Sequence, residues 1–154
     1  MKKIFLLADD DSDDRALFCE ALDEIDPTVF CYCVTDGKAT LELLADKDLE
    51  KPQIIFLDIN MPGMNGWECL TKLKQHEEHK HIPVIMYSTS SHQREADIAL
   101  DLGALCFFTK PTNFLELKEI LKAIASCGKE NILESISHFN GIKSRKVISC
   151  TDGE

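Results

Sequence analysis

The sequence predicts an α/β protein: a doubly wound, five-stranded parallel sheet with helices on both faces and strand order 2-1-3-4-5. Two observations carry this. Five short runs of strand-forming residues alternate with five segments of helical apolar spacing, joined by connections of a few residues. That alternation calls for right-handed βαβ crossovers and a sheet covered on both sides. The third run, Ile54-Ile55-Phe56-Leu57, is apolar throughout and passes straight into Asp58 and the turn signal Pro62-Gly63. A wholly apolar run of this length marks a central strand buried on both faces.

The elements follow in order. Lys3 to Ala8 is the first strand, and the basic start before it is too short for a signal peptide. The acidic run Asp9-Asp10-Asp11-Ser12-Asp13-Asp14 comes next, then a helix marked by Ala16, Leu17, Cys19, Ala21, Leu22 and Ile25. Ser12 or Asp11 caps it, acids favour its positive end, and Asp26-Pro27 stops it. Val29 to Val34 is a β-branched and aromatic second strand. Asp36-Gly37 turns into a short helix from Ala39 to Ala45. Gln53 to Asp58 is strand three, and helix three runs from Gly66 to His76. Strand four spans Ile82 to Tyr87, with Pro83 tolerated at an edge-compatible position. Helix four covers Gln93 to Leu102 and ends at Gly103, a natural C′ residue. Leu105 to Thr109 is strand five and Phe114 to Ser126 helix five. Residues 1–126 thus make one domain. Residues 127–154, with Gly128, Asn140-Gly141 and the basic cluster Lys143-Ser144-Arg145-Lys146, read as a tail without a separate effector domain. One or two helical turns are expected between Ile132 and Phe139.

Composition excludes several function classes. A net charge of −10 leaves no basic face for a phosphate backbone or an anionic membrane. No apolar run approaches the ~18 residues needed to span a bilayer. The seven cysteines are odd in number and scattered. They fit small buried hydrophobes in a reducing cytosol better than a disulfide framework.

The topology gathers chemistry at one end of the sheet. In the order 2-1-3-4-5, strands one and three are neighbours, so Asp9, Asp10 and Asp58 meet outside their carboxyl ends. Two carboxylates ~4 Å apart repel by about 4 kcal/mol at an effective dielectric of 20. Such a trio protonates one member or recruits a hard, oxygen-preferring cation, and Mg²⁺ fits best. Strand four brings the hydroxyl of Ser88. Strand five brings the ammonium of Lys110, beside Pro111, whose peptide bond is able to adopt the cis form. A carboxylate nucleophile, a metal held by acids, a hydroxyl and a lysine are the parts needed to accept a phosphoryl group.

Four blocks in order carry a family resemblance: Leu6-Leu7-Ala8-Asp9-Asp10-Asp11, Leu57-Asp58-Ile59-Asn60-Met61-Pro62-Gly63-Met64-Asn65-Gly66, Pro83-Val84-Ile85-Met86-Tyr87-Ser88 and Phe107-Phe108-Thr109-Lys110-Pro111. From Lys3 to Ser126 the chain resembles a single-domain, CheY-like response-regulator receiver of two-component signalling. The resemblance implies a flavodoxin-like (βα)5 fold and Asp58 as phosphoacceptor. Asp9 and Asp10 would be metal-site acids and Asn60 the donor of a backbone carbonyl to the ion. Ser88 would be the switch hydroxyl and Lys110 the phosphate-binding lysine. Phe107 falls at the switch aromatic, often Tyr in the family, and lacks the hydroxyl of that residue.

It further implies a cytoplasmic phosphoprotein rather than an enzyme in its own right. A sensor histidine kinase or histidine phosphotransfer protein would phosphorylate it in a phosphorelay, and it would switch a surface that binds a downstream protein. The alternative is an intermediate carrier that returns the phosphoryl group to a histidine phosphotransfer protein. Neither implies direct contact with nucleic acid or insertion into a membrane. Homodimerisation through helix four, strand five and helix five is open to it.

Rival motifs are weaker. Asp9, Asp11, Asp13 and Glu20 imitate an EF-hand loop, but Asp14 stands where that loop needs glycine and a strand precedes it. Asp13 and Asp14 read as a solvated helix-capping run. His76, His79 and His81 lie in a polar connection with no completing ligand, which reads as a solvated loop and not a zinc site. No nucleophile elbow surrounds Ser88, so a hydrolase triad is not indicated.

Overall fold

The computed structural model describes residues 3–90, 92–126 and, as backbone, 147–150. Five strands, β1 (Ile4–Ala8), β2 (Phe30–Val34), β3 (Ile54–Leu57), β4 (Val84–Ser88) and β5 (Cys106–Thr109), alternate with helices α1 (Ser12–Ile25), α2 (Gly37–Ala45), α3 (Gly66–Gln75), α4 (Gln93–Asp101) and α5 (Phe114–Ala125). The five strands are parallel in the order β2-β1-β3-β4-β5, as the alternation predicts. A sixth strand, β6 (Val147–Cys150), was not anticipated. It lies antiparallel against β5 and makes the sheet mixed. The helical turns expected between Ile132 and Phe139 lie outside the described residues.

Strand periodicity sorts the core into two layers. Side chains of one parity, Phe5, Leu7, Phe56, Ile85 and Phe108, pack against Phe18 and Leu22 of α1 and Leu117 and Leu121 of α5. Those of the other parity, Leu6, Ile55, Leu57, Met86 and Phe107, face Leu44, Leu70, Leu73 and Ala99 of α2, α3 and α4. β1, β3, β4 and β5 are buried on both faces, which is why their sequences do not alternate, whereas β2 is half exposed at the sheet margin. The Phe18 ring meets Phe56 at 5.0 Å and Tyr87 at 5.8 Å, both edge-on. Each such pair is worth roughly 1 kcal/mol beyond area burial.

Short polar side chains set the helix starts. Asp11, not Ser12, caps α1 by accepting from the Asp13 and Asp14 amides. Asp36, Asn65 and Asn113 do the same for α2, α3 and α5, each cap worth about 1 kcal/mol. The Asp36 cap starts α2 at Gly37, two residues earlier than the apolar pattern suggested. Pro83 precedes β4, an interior strand, and its carbonyl accepts from Ile55, so no ladder donor is missed. Every peptide bond among the described residues is trans, that before Pro111 included.

Two expectations about reactive side chains need correcting. His79 is buried and its ring stacks on His76 at 4.0 Å, so it does not lie in a solvated loop. Burial and the neighbouring His76 hold it below the usual histidine range. The cysteines are not uniformly buried hydrophobes either. Cys33 is exposed, Cys19 and Cys31 are partly so, and Cys106 is disulfide-bonded.

Candidate functional site

The carboxyl ends of β1, β3, β4 and β5 open on one acidic cleft. Asp9 leaves β1 fully buried, its amide donating to the Val34 carbonyl at the end of β2 and its Oδ1 accepting from the Asp11 amide at 3.0 Å. Asp58 leaves β3 only 6% exposed, its amide donating to the Ala8 carbonyl, while its Oδ1 accepts from the Ile59 amide at 2.8 Å. Asp10 is exposed at the rim. One carboxylate oxygen from each of Asp9, Asp10 and Asp58 lies within 4.8 Å of the others. An all-oxygen, multiply charged set of this size fits a hard divalent cation.

Lys110, at the end of β5, is the counter-charge. Its Nζ lies 2.8 Å from Asp9 Oδ2, 2.9 Å from Asp14 Oδ2 and 3.3 Å from Asp58 Oδ2. The Lys110 amide donates to the Ser88 carbonyl at 2.6 Å, which fixes the side chain's starting point. Burial disfavours its ammonium, but bonding to Asp9 and Asp14 and the charge on Asp58 outweigh this and hold it above the usual lysine range. Asp58 is raised from 3.8 to about 6, by burial first and by the Asp9 charge as well, with Lys110 and the Ile59 amide opposing. Below about pH 6 this carboxylate is therefore a poor nucleophile.

The approach of α3 also shapes the cleft. The Gly66 amide donates to the Ile59 carbonyl at 2.8 Å. A Cβ at Gly66 would stand 2.2 Å from the Asp58 carbonyl oxygen and 2.8 Å from Ile59 Cα. Only glycine lets the helix start so close to the carboxylate-bearing loop. Gly63, with φ +70°, makes the turn between them.

Of the residues singled out in the sequence, Asp9, Asp10, Asp58 and Lys110 come together. Ser88 is buried at the end of the adjacent strand, its hydroxyl accepting from the Ser90 amide at 3.2 Å. Asn60 is exposed two residues beyond Asp58. Phe107 is fully buried in the α4-side layer with Met86, Ala99 and Ala104, and so is already inward in this structure. Sequence reasoning missed Asp14 and Arg15. Asp14 is not merely solvated but shares Lys110, and Arg15 donates from Nη1 to the Asp9 carbonyl at 2.7 Å. The available signal was positional: the first turn of a helix leaving β1 overhangs the strand ends.

Comparison with known proteins supplies the family to which this acidic cleft belongs. The response regulator receiver domain family matches residues 5–122, so the chain belongs to that family and is a receiver of two-component signalling. It is 28% identical over 134 residues to the response regulator Rcp1 of Synechocystis sp., covering 84% of this chain and 91% of that protein. The Mn²⁺-bound structure of Rcp1 superposes with a TM-score of 0.72 at 29% identity, covering 80% of this chain and 92% of that one. The phosphorylated cyanobacterial phytochrome response regulator RcpA superposes with a TM-score of 0.75 at 27% identity, covering 97% of this chain and all of that one. A probable cyclic di-GMP phosphodiesterase of Vibrio cholerae is 30% identical over 113 residues, 73% of this chain but only 24% of that protein. No helix among the described residues is long and apolar enough to cross a membrane.

Proposed function

We propose that Asp58 accepts a phosphoryl group in a histidine-to-aspartate phosphorelay and that this switches a protein-binding surface. The carrying observation is the Asp58 carboxylate, buried at a strand end, oriented by the Ile59 amide and 3.3 Å from the Lys110 ammonium. An Asp58 oxygen attacks the phosphorus of a phosphohistidine on a sensor kinase or phosphotransfer protein. The O–P bond forms as the N–P bond breaks, and the freed imidazole takes a proton from solvent. Lys110 neutralises the phosphoryl oxygens. Asp9, Asp10, Asp58 and the Asn60 carbonyl would hold Mg²⁺, which supplies charge neutralisation to the equatorial oxygens when bound.

Ser88 then exchanges its Ser90 partner for a phosphoryl oxygen, and the change passes through Phe107 to the face of α4 and β5 where a downstream protein docks. Phe107 acts by packing alone, because phenylalanine has no hydroxyl to re-pair. Residues 1–126 are the whole receiver in this reading. The protein works in the cytoplasm without contacting nucleic acid. A second copy is a further candidate occupant of the α4–β5–α5 face, held through the surfaces of α4 and α5 because β6 already pairs with the edge of β5.

The test is intact-mass spectrometry after incubation with acetyl phosphate, with and without Mg²⁺, beside Asp58→Asn. The expected result is one Mg²⁺-dependent phosphoryl group, absent in the variant. No addition to the folded protein would remove the phosphoacceptor role. The phosphorylated sample is also expected to show altered amide spectra on α4 and β5, and unchanged spectra would remove the switch role from Ser88 and Phe107. Rapid loss of the group to a histidine phosphotransfer protein would identify the intermediate-carrier variant of the same chemistry.

A further inference from the structure

Between α1 and β2, three thiols converge. Cys31 and Cys33 stand two apart on β2 and so share a face, and Cys19 of α1 meets them. The Cys19 and Cys33 sulfurs are 3.2 Å apart and those of Cys31 and Cys33 3.9 Å. All three lie within 4.8 Å of one another. We propose that Cys19, Cys31 and Cys33 form a second cation site, a three-thiolate centre for a soft, thiophilic ion of the Zn²⁺ or Cd²⁺ class.

The spacing supports this directly. With metal–sulfur bonds of about 2.3 Å, three ligands of a tetrahedral or trigonal ion are about 3.8 to 4.0 Å apart. The Cys31–Cys33 separation of 3.9 Å already matches that value, and the Cys19–Cys33 separation of 3.2 Å has to widen by about half an ångström, which the exposed Cys33 side chain can supply. Cys33 is exposed, which gives an entry path, while Cys19 and Cys31 are partly shielded. The tri-sulfur set excludes hard ions and so does not compete with the carboxylates of the cleft for Mg²⁺.

Charge favours the same reading. The Cys19 thiol is pushed down to about 3 by hydrogen bonds from Cys31 and Cys33 and by Arg15, while Cys33 is pushed up to about 11. Binding a divalent ion to the three sulfurs as thiolates displaces the thiol protons the cluster holds. A simple redox pair would use two of these cysteines and leave the third without a role. A metal uses all three.

The experiment uses the full chain, held under anaerobic conditions without reductant so that the Cys106 disulfide stays closed, with saturating Mg²⁺ to occupy the carboxylate cleft, and titrates Cd²⁺. Sulfur-to-cadmium charge-transfer absorption and bound metal after dialysis are read together. The expected result is one Cd²⁺ per chain with the intensity of three thiolates. Affinity should fall about 100-fold or more in Cys19→Ser and Cys33→Ser and hold in Cys69→Ala, a thiol outside the cluster. Thermal melts confirm that each variant is folded, and exposed Cys33 is the variant least able to disturb packing. Cd²⁺ binding that survives Cys33→Ser would overturn the proposal. So would no bound metal, or a Cys19–Cys33 disulfide as the only change the cluster undergoes.

Discussion

Replacing Asp58 with asparagine should stabilise the protein even as it abolishes phosphoryl transfer, and the size of the gain should follow pH. The folded-state carboxyl titrates near 6 against 3.8 for an unperturbed aspartate, chiefly because it is buried beside Asp9. The folded state therefore holds this proton more tightly than the unfolded chain. The group's contribution to stability is complete below about pH 4 and is lost as pH rises through about 6. Moving from 3.8 to about 6 corresponds to about 3 kcal/mol at pH 8, at 1.36 kcal/mol per tenfold. Asparagine keeps the shape and sheds the charge, so Asp58→Asn should gain up to about 3 kcal/mol at pH 8 and only about 0.5 kcal/mol at pH 4. For a domain of this length that is a rise in melting temperature of about 6 to 12 °C at pH 8. Mg²⁺ should narrow the gap, since it stabilises the wild type by binding its carboxylates. Calorimetry or urea melts of both proteins at pH 4, 6 and 8, with and without Mg²⁺, check this. A variant no more stable than wild type at pH 8, or a gain independent of pH, would refute the account of the acidic cleft.

Two further substitutions probe the same architecture. Gly66→Ala places a methyl group 2.2 Å from the Asp58 carbonyl oxygen. It should cost about 1 to 3 kcal/mol and slow acetyl-phosphate labelling by displacing the Asp58 loop; unchanged labelling would show that the close approach of α3 is not required. Lys110→Met leaves Asp9, Asp14 and Asp58 without the ammonium they share. It should destabilise by about 3 to 5 kcal/mol at pH 8 without Mg²⁺ and recover on acidification toward pH 5, as urea melts at the two values would show.

The legible parts of the sequence were those where one physical rule dominates. Ile54 to Leu57 reads as a strand buried on both faces, and in a parallel sheet Asp58 after it stands at the mouth of the cleft. Asp9 and Lys110 were placed by the same logic at their own strand ends. What the sequence hid depends on three-dimensional neighbours. Asp14 looked like any acid in a helix's first turn, and its partner Lys110 lies 96 residues away. His79 lies in a segment polar enough to suggest solvent, yet the turn folds its ring under His76. The convergence of Cys19 with Cys31 and Cys33 needed the packing of α1 on β2, which spacing alone does not encode. β6 carries no turn signal tying it to β5, because its pairing bridges helix five and the tail.

That last strand has a consequence for recognition. A parallel sheet ordered 2-1-3-4-5 has two raw edges, and antiparallel β6 takes the outer edge of β5 for the chain's own use. A visitor that adds a strand there has to evict a tethered competitor whose effective concentration is on the order of millimolar. Weak partners are thereby refused at that edge, and only one with affinity to spare, or one gripping the helical surfaces of α4 and α5, gains a hold. The margins of the six-stranded sheet are then those of β2 and of β6 itself.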